Sequence, residues 1–208
     1  MYHMPVRQDP NFWWANANFI LTPPFTGETQ ADGFHLKGNM TYSGGSLINR
    51  QFGVASRYEL HSNRIPRPDR GPWRSAPHVE ITGRVIGSTT AGDIFSGDQW
   101  NKCWMHRRQT LYQFVFAPPG TDNRRIIGEN REIQELIFLE GSSKYKDFVL
   151  PGFQNMPVVI LNQNSIFPGL SVWAELEILF HVQLEGGSTL WLNPDVLIRM
   201  FQWPLEPI

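Results

Sequence analysis

His78-Val79-Glu80 sets an imidazole and a carboxylate two residues apart, on one face if the segment is a strand. That spacing serves metal sites, and with a downstream Pro-Cys-x-x-Cys it serves zinc deaminases. The chain has one cysteine, Cys103, so that motif is missing. A cupin-like metal site wants His-x-His and a later Glu on a neighbouring strand. None of His3, His35, His61, His78, His106 and His181 forms such a pair. Glu175 and Glu177 share one phase of a strand-like run and as paired carboxylates could serve a glycosidase; the polar face of a half-buried strand is the better reading. No Gly-x-Ser-x-Gly elbow, Gly-x-Gly-x-x-Gly turn or Walker-type loop occurs, and Gly44-Gly45-Ser46 and Gly186-Gly187-Ser188 read as hairpin turns. Ser-His-Asp chemistry leaves no local signature, because triad members lie far apart in sequence. The expectation is a protein that is not an enzyme, with no catalytic residue, no metal and no cofactor.

Residues 57–84 hold a different kind of chemistry. Arg57, Arg64, Arg67, Arg70, Arg74 and Arg84 face only Glu59, Asp69 and Glu80, a balance of +3. Trp73 sits among the arginines, and Pro66, Pro68, Pro72 and Pro77 stiffen the segment. Arginines interleaved with an aromatic suit phosphate contact and base stacking. They also suit docking on an acidic protein, or pairing with carboxylates of the same domain. Arg64, Arg67, Arg70, Trp73 and Arg74 are the candidate contacts to nucleic acid or a partner.

Both chain ends are aromatic where termini are usually polar. Phe12, Trp13 and Trp14 lie near the start, and Phe201 and Trp203 near the end. These five are the candidate subunit-interface residues, since apolar surface of that size normally marks an interaction site.

The elements that must carry these groups are strands. In residues 171–184, Val172, Ala174, Leu176, Ile178, Phe180, Val182 and Leu184 take every second position without a break. Alternation puts them on one face of a strand, whereas a helix would scatter them. Further strands are expected at 34–42, 52–60, 78–86, 111–116 and 158–161, with turn signals between them. Residues 132–140 fit strand or helix. Residues 96–106 read as a short helix, with Ser96 as N-cap and Trp100 and Trp104 four apart. The count is about 7–8 strands, the pattern of an all-β, single antiparallel β-sandwich of jelly-roll type with extended terminal arms. One domain spans 1–208: an N-terminal arm at 1–32, a core at 33–185 and a C-terminal tail at 186–208.

Composition narrows the partners. A net charge of −1 gives no bulk attraction to nucleic acid or to an anionic membrane. Only four of the 18 basic residues are Lys, and Arg favours fixed, partly desolvated contacts over a free hydrated surface. Such a surface is suited to being covered by neighbours. No secretory apolar region follows Met1 and no apolar run reaches a membrane span, so a reducing compartment or indifference to redox state is expected.

The run Val172 to Leu184, the preceding Asn162-Gln-Asn-Ser-Ile-Phe-Pro-Gly169 loop and the aromatic arms together resemble the jelly-roll structural proteins of small non-enveloped viruses and phages. The chain departs from many of them in having no Arg/Lys-rich N-terminal arm to neutralise a genome. The resemblance implies a capsid or virion subunit, made in the host cytoplasm, with a homo-oligomer and other virion proteins as partners. Nucleic acid enters only through the Arg-rich segment, and no membrane is involved. Two other readings stay open: a carbohydrate- or receptor-binding β-sandwich with tryptophans as stacking platforms, and a cupin-like or sandwich enzyme.

Overall fold

The computed structural model describes residues 2–4, 17–30, 33–60, 72–90, 99–116, 120, 122–141, 143–162, 165–186 and 189–208; of these, 2–4, 17, 58, 60, 200–205 and 207 are described by backbone alone. Along the chain the strands are β1 (Tyr2–Met4), β2 (Ala17–Leu21), β3 (Thr26–Gln30), β4 (Gly33–Lys37) and β5 (Met40–Tyr42). Then come β6 (Ile48–Leu60), β7 (Trp73–Ser75), β8 (His78–Thr89), β9 (Trp100–Phe114) and β10 (Arg124–Glu140). The series ends with β11 (Lys144–Val149), β12 (Gly152–Asn155), β13 (Val159–Leu161), β14 (Val172–Glu185) and β15 (Leu190–Pro207).

The pairings are nested. β9 pairs β10, β8 pairs β11 and β12, β6 pairs β14, and β4 and β5 pair β15, all antiparallel. First with last and second with second-last is one long hairpin rolled onto itself. The roll yields two sheets. Sheet one has the order β10-β9-β14-β6-β2; sheet two runs β11-β8-β15-β4-β3, with β1, β5, β7, β12 and β13 joined to it. This is an antiparallel jelly-roll sandwich, all β as the sequence predicts.

The core lies between the sheets. Sheet one contributes Phe52, Val54, Met105, Leu111 and the even-numbered residues of β14 from Val172 to Leu184, all buried. Sheet two contributes Leu36, Val79, Ile81, Val85, Leu190, Leu192, Val196 and Ile198. In β14 the burial alternates as the sequence pattern does, with Leu179 buried as well on the opposite face.

Three expectations are corrected. The described part of 96–106 is not a helix: Trp100 opens the 15-residue strand β9. The strand count is 15 among the described residues, because two of the long strands of the roll are broken in two and short strands are added. Residues 186–208 are not a tail. They hold β15, which sits between β8 and β4 in the middle of sheet two. Its first half alternates Leu190, Leu192, Val196 and Ile198 inward. Pro194, which has no N–H to donate, lies opposite the break between β4 and β5, where Gly38 N donates to its carbonyl at 3.2 Å.

Candidate functional site

Antiparallel register puts Trp173, Glu175, Glu177 and His181 of β14 beside Tyr112, Thr110, Arg108 and Trp104 of β9 on the outer face of sheet one. Ion pairs fill its middle. Arg57 Nε donates to Glu175 at 2.7 Å, and Arg108 reaches Glu177 at 3.0 Å, Glu129 at 3.9 Å and Glu175 at 4.0 Å. The two carboxylates that suggest a glycosidase are thus both held by guanidinium groups. Cys103 is fully buried, and burial pushes its thiol well above the ordinary range, so it is no nucleophile.

Beside the ion pairs, three rings interlock. Trp104 and His181 stack with centroids 5.6 Å apart, and His106 tilts against His181 at 4.4 Å. Trp104 Nε1 donates to His106 Nε2 at 3.1 Å, so neutral His106 carries its proton on Nδ1. Burial holds both imidazoles below the ordinary value of 6.5. Arg131 and Arg108 push His106 further down against an opposing Glu177, and His106 pushes His181 down. The unfolded chain, with ordinary histidines, therefore binds more protons below about pH 6.5. Stability contributed by the neutral pair is present above that pH and is lost as pH falls through and below it. The expected result is a urea midpoint that drops between pH 8 and pH 5.5, with a shallower drop in H106Q/H181Q. Equal drops in both proteins would remove the pair as the cause.

The outer face of sheet two is also ion-paired. His35 Nε2 meets Asp195 at 2.6 Å, its Nδ1 meets Glu28 at 3.1 Å, and Lys37 meets Glu28 at 3.1 Å. Glu80 of the His78-Val79-Glu80 motif accepts from Arg199 at 3.1 Å. Among the described residues, no three His, Cys, Asp or Glu side chains converge to hold a metal ion.

The Arg-rich segment divides. Arg57 is bound to Glu175, Arg74 Nη2 donates to Glu206 at 2.5 Å, and Arg84 lies 3.6 Å from Asp147. For these three, the same-domain reading describes what they do. Trp73 is 5% exposed, buried in the core from β7 rather than offered to a base. Arg64, Arg67 and Arg70 lie outside the described residues, as do Phe12, Trp13 and Trp14. Phe201 and Trp203 are placed by backbone only. Their strand pairs within its own chain, Trp203 opposite Met4 and Leu205 opposite Tyr2 in β1.

What the sequence reading missed is an apolar belt. Fourteen large hydrophobic side chains are exposed among the described residues, and eight of them fall between Ile126 and Ile160. Ile126, Ile133 and Phe138 stand on the outer face of β10, the edge of sheet one. Tyr145 and Val149 on β11, Phe153 on β12, Val158, and Ile160 on β13 continue around the adjoining edge of sheet two. β10 packs on β8, β11 and β13, so the belt wraps one side of the sandwich. Period 2 hides it: Ile126 and Ile133 fall in opposite sequence phases and reach one face with Arg124, Glu129 and Arg131 only through the register shift between Ile126 and Gly128.

No family model and no curated protein matches the sequence. Solved structures give distant likenesses. TmCBM61, a carbohydrate-binding module in complex with beta-1,4-galactotriose, is 8% identical over 95% of this chain and 99% of that one, with a TM-score of 0.22. Structures of infectious bursal disease virus follow: the Gt strain at 10% identity, 92% and 42% coverage and TM-score 0.17, and the Gx strain at 9%, 92% and 44%, and 0.10. The chain spans less than half of either viral chain. Likenesses this remote carry no argument about function, and the jelly-roll assignment rests on the strand pairing. No helix among the described residues is long and apolar enough to cross a membrane.

Proposed function

We propose that this protein is a structural subunit of a virion- or capsid-like assembly, holding its neighbours through the apolar belt that wraps β10 to β13. The belt is the observation that carries the reading. Val149 is 70% exposed and Phe153 72%, on strands whose neighbours bury their side chains normally. Exposed apolar surface of this extent marks a contact in soluble proteins. The belt runs along the outer faces of the two neighbouring sheet edges, while ion pairs lace the more central strands of both sheets, which suits subunits that meet edge to edge in a shell one sandwich thick. Localisation in the virion, after synthesis in a host cytoplasm, belongs to this proposal.

The test is the native mass by sedimentation. Large closed particles or a concentration-dependent oligomer are expected. V149D and F153D, at positions outside the core, should fold normally and each weaken association by about 2 kcal/mol. A wild-type chain that is monomeric at all concentrations overturns the reading.

The alternative, a carbohydrate-binding sandwich, needs open tryptophan faces. Two of those on sheet one are covered: Trp104 lies against His181, and Lys102 Nζ sits 3.3 Å above the Trp100 ring. Glycan binding abolished by W104A would favour that reading over assembly. Nucleic acid would have to engage Arg64, Arg67 and Arg70, because the other three arginines of the segment are spent on carboxylates.

A further inference from the structure

Strand β10 carries a pattern that selects its own partner. It is the edge of sheet one, pairing with β9 on one side only, and runs for 17 residues. Long edges are usually blunted by scattered charges, prolines or bulges, because their free N–H and C=O groups recruit other strands. β10 has charges, but they are sorted. Residues 124–131 hold Arg124, Arg125 and Arg131 against Glu129, a net +2; residues 132–140 hold Glu132, Glu135 and Glu140, a net −3. A strand basic in its first half and acidic in its second repels a parallel copy of itself and matches an antiparallel one. An antiparallel copy is what a two-fold axis through mid-strand generates.

We infer that β10 pairs antiparallel with β10 of a second copy of this chain about a two-fold axis near Glu132, joining two five-stranded sheets into one continuous sheet. This deepens the self-assembly reading above and rests on it. Exposed apolar residues obey the same symmetry. Ile126 and Phe138 are equally far from Glu132 along the strand, so each meets the other across the axis, as Arg124 meets Glu140. The two register shifts, at Ile126/Gly128 and Glu135/Ile137, fall on either side of Glu132 at distances that differ by one residue, so the kinks come close together across the axis. Like charges at the centre are already compensated within the chain. Glu132 accepts from Arg107 at 2.8 Å, and Glu129, which falls opposite Glu135, lies 3.9 Å from Arg108. Arg131 and Glu135 are exposed and have no ion pair among the described residues. Each lies diagonal to the other's counterpart across the axis.

The experiment is a charge swap on the full chain, read by sedimentation equilibrium, with circular dichroism as a check on folding. R131E should weaken dimerisation about tenfold, since it sets a carboxylate diagonal to Glu135 of the other copy at two places in the interface; E135R, which also replaces the Glu129–Glu135 repulsion by attraction, should change it less. The double variant R131E/E135R should restore it. Within one strand the two positions are ~13 Å apart at about 3.3 Å per residue, so recovery in the double variant reports contact between copies. If all three variants associate like the wild type while V149D and F153D do not, the β10 pairing is wrong and belt-driven assembly stands. If R131E weakens association and the double variant fails to recover it, the antiparallel geometry is wrong. A monomeric wild type removes both proposals.

Discussion

Truncating Phe180 to Ala should cost about 3–5 kcal/mol, a large share of the roughly 5–15 kcal/mol that holds a domain together. Phe180 is fully buried in β14, the strand at the centre of sheet one. Its register partner on β6 is Phe52, and the two rings stack with centroids 4.6 Å apart and 2° between planes. Phe25 leans on Phe52 from the other side at 4.7 Å. Removing the Phe180 ring leaves a void walled by Phe52, Met105 and the sheet-two core, and close-packed strands on both sides limit collapse into it. The loss then combines transfer free energy with the cost of the cavity. Phe180→Leu keeps most of the volume and should lose less than half as much. Urea unfolding of both variants checks this, and a loss under about 1 kcal/mol for F180A would mean that the sheets do not meet at this ring.

The same strand shows why the fold class was readable. β14 pairs on both sides without a single register shift, so its seven inward residues keep strict period 2 in the sequence. β10 was ambiguous for a reason visible in its pairing. The register shift between Glu135 and Ile137 turns both Leu136 and Ile137 inward, and the resulting spacing imitates a helical face. β9 was misread because a spacing of four satisfies both periods. Trp100 and Trp104 lie one above the other on a helix, and equally share a strand's outer face. β15 was hidden by Pro194 and by the aromatic residues of its second half, although Leu190, Leu192, Val196 and Ile198 keep the inward phase. The candidate site was less legible than the fold. Exposed hydrophobics on β10 to β13 acquire meaning only when β10 and β11 become neighbouring edges, and no local pattern announces that. The ion pairs of Arg57, Arg74 and Arg84 join residues 118, 132 and 63 positions apart, beyond any local reading.

Replacing Gly83 with Ala should destabilise the protein by about 3 kcal/mol or more, through backbone conflict rather than a lost contact. Gly83 interrupts the apolar phase of β8 and lies where β8 changes partner: β12 pairs with residues 78–81 and β11 with 84–89. Its carbonyl bridges the gap by accepting from Leu150 N at 2.9 Å. On its other side it pairs with Val196 of β15. Its φ is +102°, a conformation that costs an L residue roughly 1–3 kcal/mol. A Cβ there would also sit 2.0 Å from the backbone oxygen of Asp195. That oxygen cannot swing away as a side chain would, so β15 itself must move. β15 pairs with β8 on one side and with β4 and β5 on the other, and a shift there disturbs hydrogen bonds worth about 1 kcal/mol each on both sides. Gly152 supplies the control. Its φ is +87°, but a Cβ there meets nothing within 4 Å, so Gly152→Ala should cost only the conformational part, about 1 kcal/mol. The difference between the two variants in thermal or urea unfolding isolates the clash. Equal losses would show that β8 and β15 do not approach as closely at Gly83 as their register requires.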